Sequence, residues 1–203
     1  MAIKTTNAGG DFEKAPEGMH VGRCYRVIDC GTHLNPVFGK EQRLAWIYFE
    51  LPTTLMTKGE AQGKPFIIGK RYGLSHNEKA NLRLDLESWY GKQFDTAALD
   101  KAGGFDLEKL VGRPALLNVI HSEDGKYANI KSINPLVAGM ECPPAINKTF
   151  VFSLAEFSDD KFSKLSEKMQ DFIAQSKEYK KMMAGGHSDP LREIADMEDD
   201  IPF

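Results

Sequence analysis

Hydrophobic and polar positions alternate most clearly between Arg43 and Leu51. There Ala45, Ile47, Phe49 and Leu51 point one way along an extended chain, and Leu44, Trp46, Tyr48 and Glu50 the other. Strand-like patterning also marks Val21 to Cys30, Pro65 to Tyr72, Pro114 to His121 and Tyr127 to Ile133. The last two stretches are joined by Ser122-Glu123-Asp124-Gly125-Lys126, whose Asp-Gly pair predicts a hairpin turn. Between the third and fourth strands, Ser75-His76-Asn77-Glu78 has the form of a capping box. Leu82, Leu86 and Trp89 follow at helical spacing, Trp89 as a core residue, and Gly91 ends the helix. A second short helical piece is expected around Phe105 to Val111.

After Pro135 the pattern changes. Cys142-Pro143-Pro144 breaks regular structure, and Thr149 to Leu154 has the composition of one further strand. Asp159 to Met183 reads as an amphipathic helix with Phe162, Leu165, Met169, Phe172 and Ile173 on one side. Such a stripe packs on the strands or on a second subunit, so a homo-oligomer is one outcome. Gly185 to Pro190 opens a flexible tail.

Three strands, a helix and two strands is the order of an OB-fold. The expected architecture is therefore mainly β. A five-stranded OB-fold barrel carries its helix between strands three and four, followed by a C-terminal amphipathic helix and a disordered acidic tail. Residues 1–17 form an irregular lead-in, 18–140 the barrel, 141–184 the extension and 185–203 the tail.

The formal net charge of −3 argues against a nucleic-acid partner until its distribution is read. From Asp189 to Phe203 there are six acids and one base, leaving a mildly basic body. Charge asymmetry of this kind points to nucleic-acid contact or an interaction tail. The content is otherwise that of a globular protein, with 41% hydrophobic and 27% charged residues. No apolar run approaches the roughly 18 residues of a membrane span, and no secretion signal is evident, so a cytoplasmic location and no membrane partner are expected.

His20, Cys24, Cys30 and His33 are possible zinc ligands. On one strand, however, Cys24 and Cys30 would lie roughly 20 Å apart at about 3.3 Å per residue, too far for one tetrahedral ion. Buried or idle thiols are expected instead, with no metal and no cofactor. Catalysis is not expected either: Gly103-Gly104 lacks the remainder of a phosphate-cradling loop, and the acids outside the tail are dispersed.

If the aliphatic set of the second strand fills the barrel, Trp46 and Tyr48 face outward. Exposed aromatics on a sheet stack on nucleobases at roughly 1–3 kcal/mol per base with little sequence preference. Arg43, Lys40, Lys70 and Arg71 lie near them in sequence, and Arg23 and Arg26 come from the first strand. These are the candidate phosphate contacts, and Tyr72 and Phe66 are further candidate stacking residues.

The chain ends Asp196-Met197-Glu198-Asp199-Asp200-Ile201-Pro202-Phe203. Burying Ile201 and Phe203 in a partner's pocket contributes about 1.5–3 kcal/mol each, and the acids steer the tip toward a basic surface. Asp199, Asp200, Ile201, Pro202 and Phe203 are thus the candidate partner-binding residues.

This tip resembles that of bacterial single-stranded DNA-binding proteins, which end in an acidic run and Ile-Pro-Phe. From about Gly18 to Pro135 the body is similar instead to a phage-encoded single-stranded DNA-binding family. Gly22-Arg23-Cys24-Tyr25-Arg26-Val27-Ile28-Asp29, Asn77-Glu78-Lys79-Ala80-Asn81-Leu82-Arg83 and Phe105-Asp106-Leu107-Glu108-Lys109-Leu110-Val111-Gly112 carry that likeness. The resemblance implies an OB-fold that protects single-stranded DNA without catalysis. It also implies that proteins of replication, recombination and repair dock on the tip. The bacterial family's long Gly/Gln-rich linker is replaced here by a helix and a short spacer. The competing expectation is an OB-fold module of a replication complex that binds protein and never touches DNA.

Overall fold

The alternation along Lys40–Leu55 (β2) sorts its residues onto two faces of a twisted sheet. Ile47, Phe49 and Leu51 enter one apolar cluster, while Leu44, Trp46 and Tyr48 pack against a second. The computed structural model describes residues 13–37 and 39–185. The other strands are Gly18–Asn35 (β1), Pro65–Gly73 (β3), Pro114–His121 (β4), Ala128–Asn134 (β5) and Phe150–Phe152 (β6). Five run antiparallel in the order β3-β2-β1-β4-β5. The sixth, β6, lies parallel to β1 beside Arg26 to Ile28, on the edge that β4 leaves free beyond Arg23. The architecture is mainly β, and the further strand expected within Thr149 to Leu154 is β6. The sheet has six strands, and no backbone ladder joins β3 to β5 among the described residues.

The inner face is filled from all five antiparallel strands, with Phe49, Leu51, Leu117 and Ile133 fully buried. Helix α1, Asn81–Tyr90, closes this core with Leu82, Leu86 and Trp89, and the Trp89 indole donates to the Pro114 carbonyl at 2.8 Å. Gly91 ends it in a left-handed conformation. The start differs from the expected one. The helix begins after Ala80, and Ser75 instead accepts from the Asn77 amide in a local turn, a competing use of a short hydroxyl side chain. A further helix, Thr96–Lys101 (α2), was not anticipated, whereas the expected piece near Phe105 is a short 3-10 turn at Leu107–Leu110.

The outer face of β1 and β2 is covered by the C-terminal extension. The single helix expected from Asp159 to Met183 is three: Asp159–Ser163 (α3), Glu167–Ala174 (α4) and Lys177–Ala184 (α5). Ser158 and Ser176 cap α3 and α5 by accepting the Lys161 and Tyr179 amides, so the chain can turn between segments and follow the sheet. Ile28, Cys30, Phe152, Phe162 and Ile173 are the fully buried members of this second core. The apolar stripe therefore packs on the chain's own sheet.

Three carboxylates fasten the extension. Glu50 is completely buried and accepts from the Ile146 amide (2.6 Å), the Asn147 amide (2.8 Å) and the Asn147 side chain (2.5 Å). Asp29 accepts from the Leu154 amide, and Glu178 from the Thr32 amide and hydroxyl. At Gly31 the backbone is left-handed and a Cβ would fall 2.5 Å from Ser176, so glycine permits the close approach of α5. Among the described residues, no helix is long and apolar enough to cross a membrane.

Candidate nucleic-acid interface

Trp46 and Tyr48 stand two residues apart on the outer face of β2, and their rings stack at 5.5 Å with an interplanar angle of 18°. Across the β2–β3 ladder they oppose Arg71 and Gly69. Both rings lie over Gly69, where an added Cβ would fall 2.7 Å from Tyr48 and 3.1 Å from Trp46. Helix α4 forms the opposite wall. Lys168, Met169 and Phe172 complete a groove of about 360 Å³ with the two aromatics and Arg71.

This groove runs on into a wider one of about 520 Å³, and Arg71 and Phe172 line both. The second is bounded by the end of the β1–β2 hairpin, where Leu34 and Val37 are strongly exposed. Phe172 stacks on His33 at 4.1 Å, nearly parallel, and the Arg71 guanidinium sits 5.9 Å from its centroid. The narrower groove thus sets three aromatic rings, Trp46, Tyr48 and Phe172, beside two cations, Arg71 and Lys168. Burial pushes the Tyr48 hydroxyl up to about 12.

The other residues expected to bind DNA are placed differently. Phe66 and Tyr72 belong to the inner core, each about 3% exposed, although Tyr72 also borders the wider groove. Lys70 shares their phase on β3 and meets Asp85 of α1 at 2.6 Å, and the Tyr72 hydroxyl donates to the same oxygen at 2.7 Å. Arg43 pairs with Asp29 through two nitrogens (2.6 and 3.2 Å), though it keeps an exposed flank. Arg23 holds the 142–143 turn by donating to the Gly112, Cys142 and Pro143 carbonyls at 2.5–2.8 Å. Lys40 is exposed opposite Asn35, on the hairpin. Arg26 lies beside Tyr48 in the next strand, half-buried over the Phe150 ring.

Of the expected set, the fold brings together Trp46, Tyr48 and Arg71. It adds His33, Lys168 and Phe172, which sequence reasoning did not assign to binding. Phe172 was visible only as one member of an apolar stripe, and nothing local marks which member borders a groove.

Cys24 and Cys30 are buried in different clusters on opposite faces of β1. Among the described residues, no group of three His, Cys, Asp or Glu side chains is placed to hold a metal ion. Asp199, Asp200, Ile201, Pro202 and Phe203 lie outside the described residues. Comparison with protein-family models, curated proteins and solved structures finds no match to this chain.

Proposed function

We propose that this chain binds single-stranded DNA without sequence preference and without catalysis, along the channel over Trp46 and Tyr48. In this reading it is a phage-encoded protein of the host bacterial cytoplasm. Its acidic Ile-Pro-Phe tip recruits proteins of replication, recombination and repair.

The observation that carries the reading is the half-buried Trp46–Tyr48 pair, stacked and bordered by Arg71 and Lys168. Aromatic surface beside cations suits a strand whose bases are free to stack and whose phosphates need neutralising. The strand order, with α1 between β3 and β4, supports assigning the sheet to the OB type. Titration of Trp46 fluorescence with single- and double-stranded oligonucleotides at two salt concentrations tests the proposal. Quenching by the single strand, with affinity falling as salt rises, is the expected result.

One observation favours a second reading. Trp46 and Tyr48 also pack against the chain's own Met169 and Phe172, so their half-burial has a structural use. A protein-binding module built this way gives no quenching with any oligonucleotide.

A further inference from the structure

On the far side of β1 from the aromatic groove lies a separate cavity of about 490 Å³. Arg26, Lys148, Lys161 and Lys164 line it, against a single acid, Asp160. Asp160 is already paired with Lys164 at 2.5 Å. Lys148 and Lys161 are exposed and form no ion pair among the described residues. The Arg26 guanidinium is held over Phe150 at 5.2 Å and beside Tyr25 at 5.5 Å, and its buried Nε has no acceptor. A buried cationic donor without a partner is costly, and because Arg26 lines the cavity, an anion there would be drawn to its guanidinium.

The position of the cavity selects the anion. Gly69, Tyr48, Arg26 and Phe150 form one cross-strand row over β3, β2, β1 and β6. Partners in a row share a face, and adjacent strands are about 4.8 Å apart, so the cavity at Phe150 begins roughly 10 Å from Tyr48. Lys148 is delivered to its rim by the buried Glu50 carboxylate, which fixes the Ile146 and Asn147 amides immediately before it.

We propose that this cavity is a second phosphodiester-binding position, occupied by a strand that leaves the Trp46–Tyr48 groove and crosses β1 over Arg26. It rests on the DNA-binding reading above and extends the footprint around the edge of the extension.

The test compares wild type with the Lys148→Gln/Lys161→Gln double variant on two oligothymidylates. One has about 4 nucleotides and fills only the aromatic groove, and one has about 16 and reaches both positions. On the long strand the variant's log–log salt slope should be shallower by about 1.4, at about 0.7 per lost phosphate contact. Its affinity for the short strand should equal that of wild type. The Lys148→Arg/Lys161→Arg variant should keep the wild-type slope.

A double variant with the wild-type slope on the long strand overturns the second position while leaving the groove intact. An equal loss on both lengths overturns it too, since the cavity would then not be separate from the groove. If wild type binds neither length, the DNA-binding reading falls and this position with it.

Discussion

The Tyr48 ring rests on Gly69, its partner across the β2–β3 ladder, with no room between them for a methyl group. Glycine here serves close approach, and the absent side chain lets two aromatic rings lie along the sheet and form the floor of a channel. Replacing Gly69 with valine should lift Tyr48 and tilt Trp46. The expected cost is about 1–3 kcal/mol of oligothymidylate binding, the value of one stacked base. Equilibrium titration checks it, and unchanged affinity would show that the rings do not work from this position.

Trp46→Ala should weaken single-strand binding by a similar amount, about 1–3 kcal/mol. Phe172→Ala is the more discriminating change. A strand lying on the sheet alone would not notice it, whereas a channel walled by α4 loses aromatic surface and the seat of Arg71. Affinity measured by anisotropy should fall in both variants.

Glu50→Ala removes the acceptor of three donors, two of them backbone amides, in a fully buried setting. Each donor left without a partner costs about 1–3 kcal/mol. The variant should unfold at lower denaturant and become sensitive to proteolysis between 142 and 150. Glu50→Gln, which keeps one acceptor oxygen, should be milder. Equal midpoints for Ala and wild type would remove the carboxylate from the account of how the extension is held.

Docking of α5 should weaken in acid. Burial by itself would raise the Glu178 carboxyl, but the Thr32 hydroxyl and amide, with Arg43 nearby, outweigh it and hold the group below the ordinary carboxylate value. A depressed folded-state value contributes stability that is present above the unfolded value and lost as pH falls through the folded one. Thermal stability of wild type should therefore drop below pH ~4.3, the usual Glu value, and Glu178→Gln should flatten that part of the profile. A Gln variant with the wild-type acid profile would exclude Glu178 as its origin.

Deleting Asp196 to Phe203 should leave oligonucleotide affinity intact or slightly tighter while abolishing capture of replication partners. Tightening follows if the deleted acids compete with DNA for the cationic groups of the groove. Pull-down and titration on the same preparation separate the two effects. Loss of DNA binding on deletion would contradict the division of labour.

Local patterning made the strands legible. Alternation along Arg43 to Leu51 fixed both faces of β2, and the Asp-Gly turn placed β4 and β5. Phe66 was harder, because Pro65-Phe66-Ile67-Ile68 is apolar throughout and its phase is set by which residue meets α1. Once Phe66 and Ile68 point inward, period two sends Lys70 and Tyr72 with them and leaves Arg71 outside; that signal was in the sequence. Glu50 could not be read, since its burial depends on amides almost a hundred residues away. The breaks at Ser166 and Ser176 were hidden too. A serine within an amphipathic run is compatible with a continuous helix, and the Ser176 cap on the Tyr179 amide shows only in the folded chain.

The parallel pairing of β6 with β1 also bears on how the chain is made. As the ribosome delivers the protein, β1 emerges well before β6, and its edge at Arg26 to Ile28 waits for Phe150–Phe152, more than a hundred residues later. During that interval a central strand carries unpaired backbone groups beside Ile28, an adhesive edge in a crowded polysome. Synthesis truncated before residue 150 should therefore yield aggregates rather than a soluble sheet, and the extension acts as the cover that ends the exposure.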